Sequence, residues 1–349
     1  MKKNLLKIAS IVLAGSMILA SCKKDDDPKP SATVSYTNAS FVVCEGTFGQ
    51  NDGSIDAIID GELKKDVFQA ENDRPLGDVV QSMAKIGDKI FIVVNNSGKV
   101  EAVNANTFKS EGVCTGFSYP RYVANRNDNE IFVSNGNGFG EDYVYVVNKL
   151  SMQKTDSVAT GFGPNTMVVS NGKLFVANSG GFSTDKRVSV INVSTLEVEK
   201  TITVGDNPYD IEVDKDGNII VFCKGLTEYD ADWNPTVVSN SSIYTINASS
   251  LEATATKEFD HQFASYGGNL IAYNNGTIYY IDDAIYSFAN GTSTKLADGS
   301  FYGISASENG DIWVTETPYT SSHAAKQYDK DGKLVKTYNT SNYPNAVIF

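Results

Sequence analysis

Three stretches, YPRYVANRNDNEIFVSNGNG (119–138), GPNTMVVSNGKLFVANSGG (163–181) and NPYDIEVDKDGNIIV (207–221), decide the fold. Pro120, Pro164 and Pro208 stand 44 residues apart, and each opens a short apolar segment, a polar turn bearing Asn, Asp or Gly, and a second apolar segment. That alternation is the signature of an antiparallel hairpin. Downstream, VEAVNANTFKSEG (100–112), VYVVNKLSMQKTDS (144–157), SVINVSTLEVEKTI (189–202) and IYTINASSLEATAT (243–256) share a third strand, a turn of common appearance and the start of a fourth strand. Four strands in a unit of this size make a propeller blade, whereas helical repeats would need a 3.6-residue periodicity that is missing here.

Weaker copies at 82–98, 267–288 and 300–318 extend the pattern, and residues 41–349 divided by the 44-residue repeat hold seven units. The ends complete each other. SFVVCEG (40–46) matches only the second strand of a unit, and YPNAVIF (343–349) matches only the first. The expected fold is therefore an all-β, seven-bladed β-propeller in which the C-terminal strand, Ala346–Phe349, joins the N-terminal blade beside Phe41–Cys44 and closes the ring, removing free sheet edges.

Ahead of the repeats, Lys2, Lys3 and Lys7 precede an apolar run from Ile8 to Leu19 and then Leu19-Ala20-Ser21-Cys22, the pattern of an export signal that is too short to remain as a span. A cysteine directly after Leu-Ala-Ser resembles the lipobox of bacterial lipoproteins. That resemblance implies cleavage before Cys22 and its acylation, with each buried methylene adding about 0.8 kcal/mol of anchoring. The segment KKDDDPKPSATV behind it is charged, contains prolines and has little apolar surface to bury, so it reads as a tether. The expected division is a signal peptide at 1–21, a flexible acylated tether at 22–38 and a propeller at 39–349.

Net charge and cysteine usage exclude several classes of function. The chain carries −13, and loss of residues 1–21 takes away three lysines, leaving about −16. Such a charge repels phosphate backbones and anionic lipids, so nucleic acid is not an expected partner and membrane contact is expected through the lipid anchor only. Cys44, Cys114 and Cys223 are an odd set in separate strands and read as buried hydrophobes rather than a disulfide framework. With two histidines in the whole chain and no CxxC or HExxH, no metal site and no catalytic cofactor are expected. Asp230 and Asp232 lack the further oxygen ligands of a calcium loop.

The candidate binding face follows from loop length. In a propeller, the loops leading into the innermost strand and those joining the second and third strands share one face. The latter are long here and rich in glycine and aromatics: 45–54, 135–143, 178–187, 224–240 and 316–325. Phe48, Phe139, Phe182, Trp233 and Tyr319 lie deep within them, with Trp233 in YDADWNP the leading contact, and Phe162, Tyr209, Tyr302 and Tyr343 add rings from the loops leading inward. Rigid aromatics bury much area at small entropic cost and suit a large, flat, partly apolar ligand. No Ser/His/Asp set or inward His/Glu cluster can be read from the spacing, so catalysis is not expected.

NVSTLEVEKTITVGDNPYDIEVDKDGNIIV (192–221) resembles the YncE-like, YVTN-type propellers over nearly all of the chain beyond residue 40, a likeness specific for fold and weak for activity. Together with the lipobox and the acidic tether, which resembles the surface-export signal of Bacteroidota lipoproteins, the chain looks like their surface propellers, including the cobalamin-capturing BtuG proteins. The resemblance implies a lipoprotein of the outer membrane facing outside the cell. It would capture cobalamin or another corrinoid and pass it to a TonB-dependent outer-membrane transporter. Recognition of a glycan or a protein is the alternative, and a propeller hydrolase or lyase the third.

Overall fold

The computed structural model describes residues 34–140, 142–263, 267–318 and 322–349, and Ser35–Phe349 form one compact unit. Among the described residues, the strands make seven four-stranded antiparallel sheets and one two-stranded ribbon. Six sheets are built from consecutive chain, starting at Val80, Pro120, Pro164, Pro208, Ile271 and Gly303. The seventh combines Pro344–Ile348 with Ser40–Cys44, Ser54–Ile59 and Glu62–Lys64. Each innermost strand packs on the next around a closed circuit, from Pro344–Ile348 through Val80–Ile86 and onward to Gly303–Ala306 and back. This is the seven-bladed propeller expected from the repeat.

Closure has the expected register. Phe41 pairs with Ile348, Val42 with Val347 and Val43 with Ala346, and a bulge then sets Cys44 opposite Pro344. Asn345 ties this strand to the next blade, donating from Nδ2 to the carbonyls of Val80 (3.3 Å) and Gln81 (3.0 Å). Val347 packs with Val42, Trp313 and Tyr338 between the first and last blades.

The repeat has a local cause. Asn104, Asn148 and Asn192 end the third strands of three blades and Asn247 directly follows that of a fourth, and each Oδ1 accepts the backbone N–H groups two and three residues on. Four residues after each Asn, the chain turns through a left-handed apolar residue, Phe108, Met152, Leu196 or Leu251, whose N–H returns to the Asn carbonyl. The asparagine side chain thus replaces bonds that the strand ladder no longer supplies. Asp60-Gly61, Asn171-Gly172, Asn275-Gly276 and Asn290-Gly291 have positive φ at both positions, the geometry of tight hairpin turns.

Two segments differ from the sequence expectation. The outer strand of the first blade stops at Lys64, and Val67–Asn72 form a short helix, α1. Asp66 caps it through Gln69 N–H, and Val67 and Phe68 are buried, so a sequence too short to declare a helical period folds by burying one side. The loop 224–240 folds into a ribbon of Leu226–Tyr229 against Pro235–Ser239. Its turn is organised by Asp230, whose Oδ1 accepts the N–H groups of Asp232 and Asn234 (both 2.9 Å). Cys44, Cys114 and Cys223 are buried and unbridged, as their strand positions suggest.

Because Val347 is 2% exposed and lies in the closing blade, Val347→Asp should destabilise residues 35–349 by about 3 kcal/mol or more. Urea unfolding followed by tryptophan fluorescence measures the change, and an unaltered midpoint would contradict closure as the source of stability.

Candidate functional site

A cavity of about 480 Å³ opens on the face where the inward-leading loops and the second-to-third-strand loops meet. Its wall combines residues from five blades: Phe48, Asn95 and Asn96, Tyr119 and Arg121 with Asn137, Ser179 with Gly181 to Ser183, and Tyr209 with Lys224.

The wall is built by close contact between two loops. Phe182 N–H donates to Asn137 O at 2.7 Å, and Gly181 lies so near that a Cβ there would stand 2.2 Å from the same oxygen. Gly181 also has φ +63°, so glycine is required on both counts. Buried Asp142 accepts the N–H groups of Gly138 and Gly163 (both 2.9 Å), tying Gly138 to the chain leading into the next blade. The result is an aromatic rim. Phe139 stacks on Phe182 with centroids 5.6 Å apart, and Tyr119 meets Phe182 edge-on at 6.4 Å. Phe48, Phe139 and Phe182 are 76%, 74% and 69% exposed.

Beneath the rim the cavity is polar. Arg121 Nε donates to Asn165 Oδ1 (3.0 Å), and Asn165 Nδ2 donates to Tyr209 O (2.7 Å), so three successive innermost strands are linked at their heads. Tyr209 is buried and donates its hydroxyl to Gly267 O (2.8 Å), while Lys224 Nζ lies 3.4 Å from its ring centroid. Burial, and then the charge of Arg121, push Lys224 down to about 7 against a smaller opposing pull from Asp210. Asp210 is pushed up to about 6 by burial although its carboxylate accepts the N–H groups of Ile211, Leu270 and Ile271.

Of the rings singled out in the sequence, Phe48, Phe182 and Tyr209 line the cavity, and Phe139 extends it by stacking. Phe162 sits beside the wall under the Arg187 guanidinium (5.7 Å). Trp233 is 80% exposed at the tip of the ribbon, paired with Tyr229 at 6.1 Å, and lies outside the cavity wall. Tyr302 donates to Glu45 Oε2 (3.0 Å), whose other oxygen takes Asn345 Nδ2. Tyr343 packs against His323 (4.6 Å). Tyr319 and Cys22 lie outside the described residues.

Sequence reasoning missed Arg121, Lys224 and the asparagines of the wall. A signal for Arg121 existed, since Arg121, Asn165, Tyr209 and Asn345 each follow a strand-opening proline. That position heads the innermost strand and faces its counterparts.

An aromatic-rimmed, polar-floored cavity on the loop face of a seven-bladed propeller is a scaffold for binding or recognition. The chain belongs to the family described as a domain of unknown function, DUF5074, whose model matches residues 38–349. No functionally curated protein matches it. Among solved structures it is similar to a quinoprotein alcohol dehydrogenase-like protein of Bacteroides thetaiotaomicron (15% identity, TM-score 0.69, 90% of this chain and 79% of that one). It is also similar to a proposed 6-phosphogluconolactonase of Bacteroides fragilis (14%, 0.62, 91% and 99%). A third likeness is to a functionally unknown protein of Desulfotomaculum acetoxidans (13%, 0.64, 89% and 99%). At these identities the likeness establishes the fold.

Glu212, half-buried on the same strand as Asp210, is raised by burial, and secondarily by Asp210, from 4.5 to about 8. The folded state then binds that proton more tightly than the unfolded chain, so stability is lost as pH rises from about 4.5 towards 8. Glu212→Gln should flatten this fall and raise the melting temperature at pH 8 relative to the parent protein. Calorimetric scans of both proteins between pH 5 and 8 test it, and parallel curves would refute the assignment.

Proposed function

We propose that this chain is a non-catalytic binding protein that captures a small molecule with a planar ring at the aromatic rim, a corrinoid being the first choice. The observation that carries the reading is the cavity of about 480 Å³ with exposed Phe48 and Phe182 above a floor of amide, hydroxyl and cationic groups. Exposed rings held by glycine-locked loops are costly to leave in water and bind without much loss of freedom. The partly open site accepts part of a ligand larger than itself and leaves the rest accessible to a partner. Arg121, Lys224 and the asparagines supply fixed polar groups, a set suited to holding a ligand.

In the same reading, Cys22 carries the lipid anchor and the chain faces outward from the outer membrane, handing its ligand to a TonB-dependent transporter. Support comes from the Leu-Ala-Ser-Cys pattern and the charged segment behind it. Cells grown with an alkyne-palmitate label should yield labelled protein, and Cys22→Ala should abolish the label. Persistent labelling of that variant would remove the anchor from the proposal.

Protein recognition is the second reading, favoured by the ribbon, where Tyr229, Trp233, Val237 and Val238 are all exposed. Isothermal titration of residues 35–349 with cyanocobalamin separates the two. The capture reading expects one-to-one binding that Phe182→Ala weakens about tenfold, the effect of roughly 1.4 kcal/mol expected from one lost ring contact. Trp233→Ala, off the cavity, should change affinity less than about twofold. Absence of heat at micromolar protein would overturn the corrinoid choice.

A further inference from the structure

The asparagines of the cavity wall are not equivalent. Asn207 uses both branches of its amide inside the protein, Oδ1 accepting Asp185 N–H (3.3 Å) and Nδ2 donating to Gly225 O (2.8 Å). Asn95 and Asn96 use one branch each. Asn95 Nδ2 donates to Pro120 O (2.8 Å), and Asn96 Nδ2 donates to Asp78 Oδ2 (2.6 Å). Both amides are fixed in that sense, because turning one over would set its oxygen against a carbonyl or a carboxylate. Asp78 is held in turn. It is buried, its N–H donates to Ser97 Oγ (2.9 Å), and its carboxylate accepts Gly49 N–H (3.0 Å), next to Phe48. On Asn95 and Asn96 the Oδ1 atom is left without a partner among the described residues, and both side chains belong to the cavity wall. Asn137 has the opposite polarity: its Oδ1 accepts Phe139 N–H (3.1 Å), so Nδ2 is the branch left over.

From this arrangement we infer that the cavity selects its ligand by a neutral group that both donates and accepts, a primary carboxamide or a lactam at the edge of the planar ring. Its N–H groups meet Asn95 and Asn96 Oδ1, its carbonyl accepts from Asn137 Nδ2, and the ring lies against Phe48 and Phe182. The inference rests on the capture reading and adds to it the chemistry of the ligand's edge, whatever the ring. The rim supplies area and the asparagines supply selection, because a group that only accepts leaves two amide oxygens desolvated and unmet.

Two neutral probes with the same ring test this: 2-naphthamide, and methyl 2-naphthoate, whose ester accepts hydrogen bonds but donates none. In titrations of residues 35–349 followed by naphthyl fluorescence, the amide should bind about tenfold more tightly than the ester. Asn95→Ala and Asn96→Ala should each weaken the amide about threefold to tenfold and shift the ester less than about twofold. Asn137→Asp keeps an acceptor for Phe139 N–H and removes the donor, so it should weaken both probes, as should Phe182→Ala, which places them at the rim. Equal or tighter binding of the ester, with neither probe changed by Asn95→Ala and Asn96→Ala, would overturn the inference and leave the capture reading standing. Loss of both probes in those two variants would assign Asn95 and Asn96 to loop structure and overturn it as well. If neither probe binds the parent protein at about 1 mM, the capture reading falls and the inference falls with it.

Discussion

Everything in this molecule depends on the pairing of Pro344–Ile348 with Ser40–Cys44. A propeller blade buries its faces only against its neighbours, so an open ring would leave two blades with uncovered apolar faces and a free sheet edge. The closing strand removes both. It inserts Val347 between Val42 and Trp313, and it places Asn345 where one amide satisfies two carbonyls of the neighbouring blade and an oxygen of Glu45. Contacts almost as long as the chain thus hold together units that are locally simple.

Closure also creates the electrostatics of the centre. Seven inward strands converge on one axis, and polar side chains at their heads have nowhere to go but towards one another. Arg121, Asn165 and Tyr209 form a linked series, while Glu45, Asp210 and Glu212 are drawn out of water and hold their protons above the usual carboxylate range. Lys224 loses affinity for its proton for the same reason. Desolvation is the largest cause in every one of these shifts, so they are consequences of ring geometry more than of particular pairs. The cavity inherits a floor of cations at low dielectric beneath a rim of rings held by loop glycines.

Much of this was legible in the sequence. The 44-residue spacing of Pro120, Pro164 and Pro208 and the recurring third-strand asparagines are local signals, because a turn needs particular residues wherever it occurs. The rim was partly legible as well, since Phe48, Phe139 and Phe182 lie in long glycine-rich loops where a large ring has little to pack against. Helix α1 was not, because six residues are too few to declare a period and its stability comes from burying Val67 and Phe68. Trp233 stands in an equally long loop, but that loop folds on itself as a ribbon and carries its ring off the cavity. Loop length cannot encode that direction.

The sequence by itself determined the blade, the number of blades and the strand that closes them, because each rests on spacing, strand alternation and turn chemistry between near neighbours. Only the tertiary structure decided which side chains share the cavity. Arg121 and Lys224 are separated by more than a hundred residues, and each looks like an ordinary cation at the end of a strand. Closing the ring brings those strand ends to one wall, where the loss of water, a property of the assembled fold, sets their charge behaviour.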